Sequence, residues 1–427
     1  MNRKISWLLA AAMSLGAGVA EAQDKVVLDV LHSYPGQDAV YNEIAANFMA
    51  SHPDIEIRFR ASPEHYGEGH LAIMRASIVN RLPDVFIAGI SYFPDMIDQL
   101  EPRGQIVDLA PFLEKEGAGW VDENYEPAVL KVPNFEGKQY GLMYNISLPI
   151  LFYNRDLVAQ AGGDPDNFPT NWPDTIALAK KIDALGDDVS GISMNIDTWL
   201  DDSMYRFLVY QQGGDYVTPD GKGITFGDDG TGLKALQYAR AFIAEGGQQR
   251  QSYDQATQRF YAGQIGIIYA TSASIKGYLK QIGDRFELGT AAYPRDNPEA
   301  TFPPGPSAAV MFTDDPAKQA AAWEYIKYIT GPEAQTVVGT NTGYLPTNKR
   351  AYEDEYLGTY YTENPIFQPA IDQLPLVESK PYFKTANAVE LWEAQRDIIS
   401  RVMYGEVTPE EGLDQIVERT NALLAKQ

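Results

Sequence analysis

The stretch GLMYNISLPILFYNRDL, residues 141–157, decides the fold. Apolar side chains recur at every second position, as on one side of a β-strand, at Ile146, Leu148, Ile150 and Phe152. Leu151 and Tyr153 make the other side apolar as well, and polar residues begin at Asn154. The pattern therefore predicts a strand that is buried on both faces and that has a polar end.

The first residues predict an export signal. Basic Arg3 and Lys4 precede an apolar run from Ile5 to Met13, and small residues follow. This pattern is typical of a secretory signal peptide over residues 1–22, which we expect to be cleaved after Ala22. The apolar run is shorter than the roughly 20 residues that span a bilayer. We therefore expect the mature protein in a bacterial periplasm.

The composition excludes several classes of protein. The 427-residue chain contains no cysteine, so it has neither a disulfide framework nor a thiol for lipid attachment. A chain of this length can bury enough surface without disulfides, as two domains of about 100 to 200 residues each. Its net charge of −24 disfavours nucleic acid and anionic lipid as partners.

Strand and helix patterns alternate along the chain. A strand pattern starts at Lys25, a helix pattern follows from Asp38, and a second strand pattern covers residues 55–59, which predicts a parallel pair with a helical crossover. The alternation starts again from Asn171. We predict an α/β fold of two lobes. Since no long linker separates the lobes, the chain is expected to cross between them more than once, and such crossings form a hinge.

Motifs of common enzymes and cofactor sites do not occur. The sequence has no G-x-S-x-G elbow, no cysteine nucleophile and no phosphate-binding glycine loop. The segment PEHYGEGH offers possible metal ligands at Glu64, His65, Glu68 and His70. Its histidines are five positions apart, which differs from the i, i+4 pair of a helical zinc site. A solvated loop explains the segment better, and we expect no metal, no cofactor and no catalytic residue.

Aromatic and amide residues instead stand near glycine-rich turns. They occur in HSYPG (residues 32–36), HYGEG (65–69), DTWLDD (around Trp199), YATSAS (269–274), PPGPS (303–307) and NTGYLPTN (341–348). Aromatic faces stack on sugar rings, and small polar groups bind hydroxyls, so this set suits a polyol ligand. Turn formation accounts for the same residues without a ligand.

The order of several motifs resembles one known family, the extracellular solute-binding proteins of ATP-driven importers, in the carbohydrate branch that includes maltose-binding-like and glycerol-phosphate-binding-like proteins. The motifs are LHSYPG, LPDVF, ILFYNRDLVAQAG, FYAGQIGIIYATS, GYLPTNKRAY and TPEEGLDQIVERTNALL. The resemblance implies a two-lobed, type II periplasmic-binding-protein fold with a ligand cleft between the lobes. It assigns residues 23–147 and 291–340 to the N-terminal lobe and residues 148–290 and 341–427 to the C-terminal lobe. The buried strand of residues 141–157 would then be a crossover that both lobes cover.

The resemblance also implies a set of ligand contacts. Carried over position by position, these are Ser33, Tyr34, Tyr66, Ser147, Trp199, Ser272 or Ser274, Gly305 and Tyr344. Where glycerol-phosphate binders place an arginine, counting back from the last helix gives Trp392 here, and Arg396 lies one helical turn away. A tryptophan suits a sugar ring, whereas a phosphate needs a fork of donors such as arginine.

The resulting expectation is a periplasmic, monomeric binding protein without enzymatic activity. It would capture a sugar, glycoside or short oligosaccharide by closure of two lobes and deliver it to an ABC permease. Three alternatives remain open: a binder of an anionic polyol such as glycerol phosphate or a sulfonated sugar, a secreted glycoside hydrolase, and a metal-binding protein.

Overall fold

The computed structural model describes residues 25–196, 203–385 and 388–426, and the predicted signal peptide lies outside the described residues. The strands are β1 Val26–Leu31, β2 Ile55–Phe59, β3 Val85–Gly89, β4 Asn134–Phe135, β5 Lys138–Gln139, β6 Leu142–Ser147, β7 Pro149–Asn154, β8 Ser190–Ser193, β9 Ile265–Thr271, β10 Leu288–Ala292 and β11 Gly305–Met311. The helices are α1 Asp38–Ser51, α2 Tyr66–Ile78, α3 Phe93–Leu100, α4 Ala110–Glu116, α5 Ala118–Asn124, α6 Pro127–Lys131, α7 Arg155–Gln160, α8 Trp172–Asp183, α9 Ser203–Tyr210, α10 Thr231–Ala244, α11 Tyr253–Tyr261, α12 Ile275–Ile282, α13 Pro316–Ile329, α14 Pro332–Asn341, α15 Gly358–Glu363, α16 Gln368–Ile371, α17 Ala388–Met403 and α18 Pro409–Leu424.

The first lobe is built on a five-stranded sheet with the order β2-β1-β3-β11-β6. β1 pairs in parallel with β2 and β3, and β11 is antiparallel to β3 and β6. The predicted strand, helix, strand unit is confirmed as β1, α1 and β2. Tyr41, Ile44 and Phe48 of α1 pack in the core of this lobe. The carboxyl end of β3, the start of β11 and the end of β6 all meet at one edge of the sheet.

The second lobe is built on a four-stranded sheet with the order β10-β7-β9-β8. β7 is antiparallel to β9 and β10, while β8 and β9 are parallel. The renewed alternation from Asn171 is confirmed, since α8 leads into β8. Trp172, at the start of α8, is fully buried against Phe242 and Tyr293.

The quoted stretch forms two strands, which corrects the prediction of one. β6 ends at Ser147 in the first sheet, β7 begins at Pro149 in the second, and all their residues are buried. The break falls at Leu148, whose N–H donates to Ser272 Oγ at 3.3 Å and whose carbonyl accepts from the Ser272 N–H at 3.0 Å. These bonds satisfy the backbone where the chain leaves one sheet for the other.

The apolar core is continuous through this crossover. Ile146, Leu148, Ile150 and Phe152 belong to one buried cluster, as expected from their spacing. The same cluster contains Phe86 and Val310 of the first sheet together with Ile265 and Ile268 of the second. The polar end of the stretch caps a helix, because the Asn154 side chain accepts from the N–H groups of Asp156 and Leu157 at the start of α7.

The helix ends follow their sequence signals. Asp315 caps α13, with Pro316 as the first helical residue, as predicted. Thr408 and Glu411 form the predicted capping box at the start of α18.

The chain passes between the lobes at two further places. It returns to the first sheet between β10 and β11, and it leaves the first lobe again downstream of α14. After α14 it stays on the first lobe for several residues: Leu345 exchanges two backbone hydrogen bonds with Ile146, and Thr347 Oγ1 donates to the carbonyl of Met143 at 2.7 Å. Within residues 25–196, 203–385 and 388–426, no helix is long and apolar enough to cross a membrane.

Candidate functional site

Three tyrosines from distant parts of the chain meet at the edge of the first sheet; we call them the tyrosine cluster. Tyr34 follows β1, Tyr66 begins α2 and Tyr344 follows α14. The rings of Tyr34 and Tyr66 are 4.9 Å apart at 81°, an edge-to-face contact. Tyr34 has a positive φ of 68°, which is uncommon for a residue other than glycine. Backbone strain of this kind concentrates at binding loops.

Polar side-chain interactions connect the cluster to its surroundings. The Tyr344 hydroxyl interacts with the Tyr66 hydroxyl and with the Gln37 side chain, and the Tyr66 hydroxyl also interacts with Ser307. Burial raises the pKa of Tyr34 to about 12, with a further contribution from the phenols of Tyr344 and Tyr92. Burial also raises the pKa values of Tyr66 and Tyr344. All three phenols are therefore neutral at physiological pH and can donate and accept hydrogen bonds.

Polar residues at the strand ends extend the site. Ser147 and Gly305 are register partners in the β6–β11 pair, and a Cβ on Gly305 would lie 3.1 Å from Ser147 Oγ. Two pairs further along, Ser307 Oγ donates to Asn145 Oδ1 at 2.6 Å. The Asn145 amide nitrogen is fully buried and has no hydrogen-bond partner among the described residues. A buried donor without a partner is unusual in a folded protein.

Ser33 is adjacent to Tyr34 and lies beneath α2. Its hydroxyl is buried without a hydrogen-bond partner among the described residues, and a Cβ on Gly69 would lie only 2.5 Å from it. The close packing of β1 against α2 thus depends on the absence of a side chain at Gly69.

The predicted serines of the second lobe have protein partners. Ser272 bonds the backbone of Leu148, and Ser274 interacts with the hydroxyl of Tyr253. Their turn touches the loop of the tyrosine cluster, since a Cβ on Gly343 would lie 2.1 Å from the carbonyl oxygen of Ser272. The two lobes therefore meet next to Tyr344.

The structure describes one of the two predicted tryptophans. Trp392 is half-buried on α17 and packs against a small cluster formed by Leu391, Leu423 and Leu424. Trp199 lies outside the described residues. Arg396, one turn after Trp392, is half-buried on the same helix.

The PEHYGEGH segment is not the expected solvated loop, because α2 begins at Tyr66 and His70 is buried. Its two histidines pair with one carboxylate each. His70 Nε2 is 2.6 Å from Asp95 Oδ2, and His65 Nε2 is 3.8 Å from Glu68 Oε1. The hydrogen bond from His70 lowers the pKa of Asp95, despite partial burial. Among the described residues, no group of three or more potential ligands is placed to hold a metal ion.

Sequence reasoning missed four residues around the cluster: Gln37, Tyr92, Asn145 and Ser307. Ser307 ends the PPGPS motif and Gln37 follows HSYPG, so both stood beside recognised turns. Asn145 interrupts the apolar run that identified the crossover, and an amide in a fully buried strand was the available signal.

The architecture defines a class of protein: two α/β lobes, joined by several passages of the chain, with polar and aromatic groups where the lobes meet. The sequence profile of the bacterial extracellular solute-binding proteins matches residues 33–336. The chain belongs to this family, whose members are the ligand-binding components that work with ABC permeases.

Individual relatives agree with this assignment. The periplasmic sn-glycerol-3-phosphate-binding protein UgpB of Agrobacterium fabrum is 25% identical over 443 residues, an alignment that covers 99% of this chain and 98% of the relative. Among solved structures, UgpB of Mycobacterium tuberculosis, determined with glycerophosphocholine, has a TM-score of 0.80 at 22% identity. The sugar-binding protein MalE of Xanthomonas citri has the same TM-score at 20% identity. Each alignment covers 94% of this chain and 98% of the other.

Proposed function

We propose that this protein is the periplasmic binding component of an ABC importer and that it captures a sugar, glycoside or short oligosaccharide between its lobes. The observation that carries the proposal is the tyrosine cluster, three neutral phenols next to the interlobe contact of Gly343 with Ser272. Phenols combine a ring face with a hydroxyl, which suits a ligand that has C–H faces and hydroxyls. We further propose that the protein acts as a monomer and that it is not an enzyme.

Closure of the lobes would retain the ligand. A ligand that touches both lobes only in the closed form shifts the population toward that form by its differential affinity. Tyr34, Tyr66, Ser147, Gly305 and Tyr344 would contribute from the first lobe and the crossover. Ser33 would shape the Tyr34 loop. From the second lobe, Ser272 or Ser274, Trp199 and Trp392 are the proposed contacts.

We propose the lobe boundaries expected from the sequence, with one change. The expected boundaries put residues 23–147 and 291–340 in the first lobe and residues 148–290 and 341–427 in the second, and we move the third passage from residue 340 to Asn348. The bonds of Leu345 and Thr347 to β6 favour placing the third passage after Asn348, whose amide donates to the Thr330 carbonyl at 3.0 Å. A signal peptide cleaved after Ala22 would leave Gln23 as the first residue of the exported protein, which N-terminal sequencing can check.

An anionic polyol is the second candidate ligand, and the names of the curated relatives favour it. An anion would be bound by a cation such as Arg396 on α17. Its affinity would fall with rising salt and on Arg396→Gln, whereas the affinity of a neutral sugar would change little with salt.

The experiment that tests the proposal is a thermal-shift screen on the mature protein with mono-, di- and trisaccharides, glycerol 3-phosphate and sulfonated sugars. Ligand at 100 times its Kd stabilises the folded state by about 2.7 kcal/mol. We expect the stabilisation to be lost in Tyr344→Ala and in Trp392→Ala. Val389→Ala is the control, because Val389 is exposed on the same helix, less than one turn from Trp392.

Two results would contradict the proposal. Unchanged affinity in Tyr344→Ala and Trp392→Ala would rule out the site. Hydrolysis of aryl glycosides by the purified protein, without ligand-induced stabilisation, would favour the glycosidase alternative.

A further inference from the structure

The ring of Tyr66 lies directly against the backbone of Gly89, the last residue of β3. A Cβ on Gly89 would lie 2.6 Å from both Cβ and Cγ of Tyr66. The backbone of Gly89 is extended, with φ −64° and ψ 128°, a conformation that every residue adopts. Glycine is therefore required here by the Tyr66 ring and not by the backbone.

A polar pair stands beside this contact on the same edge of the sheet. Ser307 is the register partner of Gly89 on one side and of Asn145 on the other. The Ser307 hydroxyl donates to Asn145 Oδ1 at 2.6 Å, and its interaction with the Tyr66 hydroxyl lowers the pKa of Tyr66 against the larger effect of burial. A hydroxyl has one proton, and an amide oxygen only accepts. Ser307 is therefore the polar contact that joins the Asn145 amide to the Tyr66 phenol.

We propose that Gly89, Ser307 and Asn145 are positioning residues of the binding site. Gly89 lets the Tyr66 side chain pack directly against the sheet edge, and the Ser307–Asn145 pair contacts its phenol. Held in this position, Tyr66 offers its ring and its hydroxyl, which match the C–H groups and hydroxyls of a polyol. This inference rests on the proposed function and specifies the chemistry that Tyr66 contributes to it.

The position of the ring can be tested without ligand. In protein labelled with 3-fluorotyrosine, the ¹⁹F resonance of Tyr66 is assigned by its loss in Tyr66→Phe. We expect Gly89→Ala to move this resonance, because the ring must leave the sheet edge, and Ser307→Ala to move it by removing the hydroxyl that interacts with the phenol. The matched control is Gly266→Ala on β9 of the second lobe, where a Cβ would lie 2.6 Å from Cγ2 of Ile182. An unmoved resonance in Gly89→Ala would overturn the inference.

The effect on binding is tested by a double-mutant cycle, with maltose and sn-glycerol 3-phosphate as calorimetric probes. We expect Gly89→Ala to weaken binding about 10-fold, since an inserted methyl group in a packed contact displaces its neighbour. In a Tyr66→Ala background the same substitution should change the affinity less than about 2-fold, because no ring remains to be displaced. Gly266→Ala should leave the affinity unchanged.

The outcomes separate this inference from the proposed function. An equal loss of affinity from Gly89→Ala in both backgrounds overturns the positioning role, even if the protein binds sugars. If neither probe binds and the wider screen finds no ligand, the proposed function fails, and the ¹⁹F measurement alone still decides whether Gly89 and Ser307 position Tyr66.

Discussion

The crossover offers the sharpest stability prediction, because Ser272 is a single side chain that satisfies a backbone group at the break between the two sheets. Its hydroxyl is fully buried and accepts from the Leu148 N–H at 3.3 Å. Ser272→Ala removes the acceptor and leaves that N–H in a site surrounded by apolar residues. The backbone bond from Ser272 N–H to the Leu148 carbonyl stays, so the chain path is preserved.

A buried donor left without a partner costs about 1 to 3 kcal/mol. We expect Ser272→Ala to lower the free energy of unfolding by this amount, measured by urea denaturation of the ligand-free protein. The control is Ser51→Ala at an exposed residue, whose hydroxyl bonds the carbonyls of Asn47 and Phe48 and the ring nitrogen Nδ1 of His52 at the end of α1. A loss below about 0.5 kcal/mol, the level of ordinary surface substitutions, would refute the assignment of a structural hydrogen bond to Ser272.

Three further predictions concern the first lobe. Gly69→Ala should destabilise the protein by about 1 to 3 kcal/mol, because the new methyl group overpacks the contact with Ser33. Adding Ser33→Ala should restore much of the loss, since it removes the oxygen 2.5 Å from that methyl group. Additive losses of the two substitutions in thermal denaturation would contradict this prediction. His70→Ala should raise the pKa of Asp95 toward its ordinary value by removing their hydrogen bond, which NMR titration of the carboxyl group can check, and an unchanged pKa would refute the pairing. Burial raises the pKa of Tyr34 to about 12, so the folded state keeps this proton to a higher pH than the unfolded state does. Stability should therefore fall as the pH rises from 10 to 12, and it should fall less steeply in Tyr34→Phe. Equal slopes in the two proteins would refute the shift.

Much of the fold was predictable because its signals are local. The caps at Asp315 and Thr408 specify helix starts from neighbouring residues, and the period-two pattern from Ile146 to Phe152 identified a buried strand. The same pattern could not show a break at Leu148, because two strands in line share one alternation. The hydrogen bonds to Ser272, 124 residues away in sequence, mark that break.

The candidate site was predictable in part. The segments that contain Tyr34, Tyr66 and Tyr344 were recognisable from their glycines and aromatic rings. Asn145 was hidden, because its polarity acquires a role only through its pairing with Ser307 on a neighbouring strand. The partners of Ser272 and Ser274 were equally inaccessible from local sequence.

The sequence by itself determined the class of the protein. Its lack of cysteine, its alternating strand and helix patterns and its ordered motifs depend on composition and on residues a few positions apart, which are legible along the chain. Only the tertiary structure decided which side chains share one edge of the sheet, with Tyr34, Tyr66 and Tyr344 in contact and Gly89 beneath the Tyr66 ring. The physical reason is that strand order and register bring residues together across hundreds of positions, and no local preference encodes those distances.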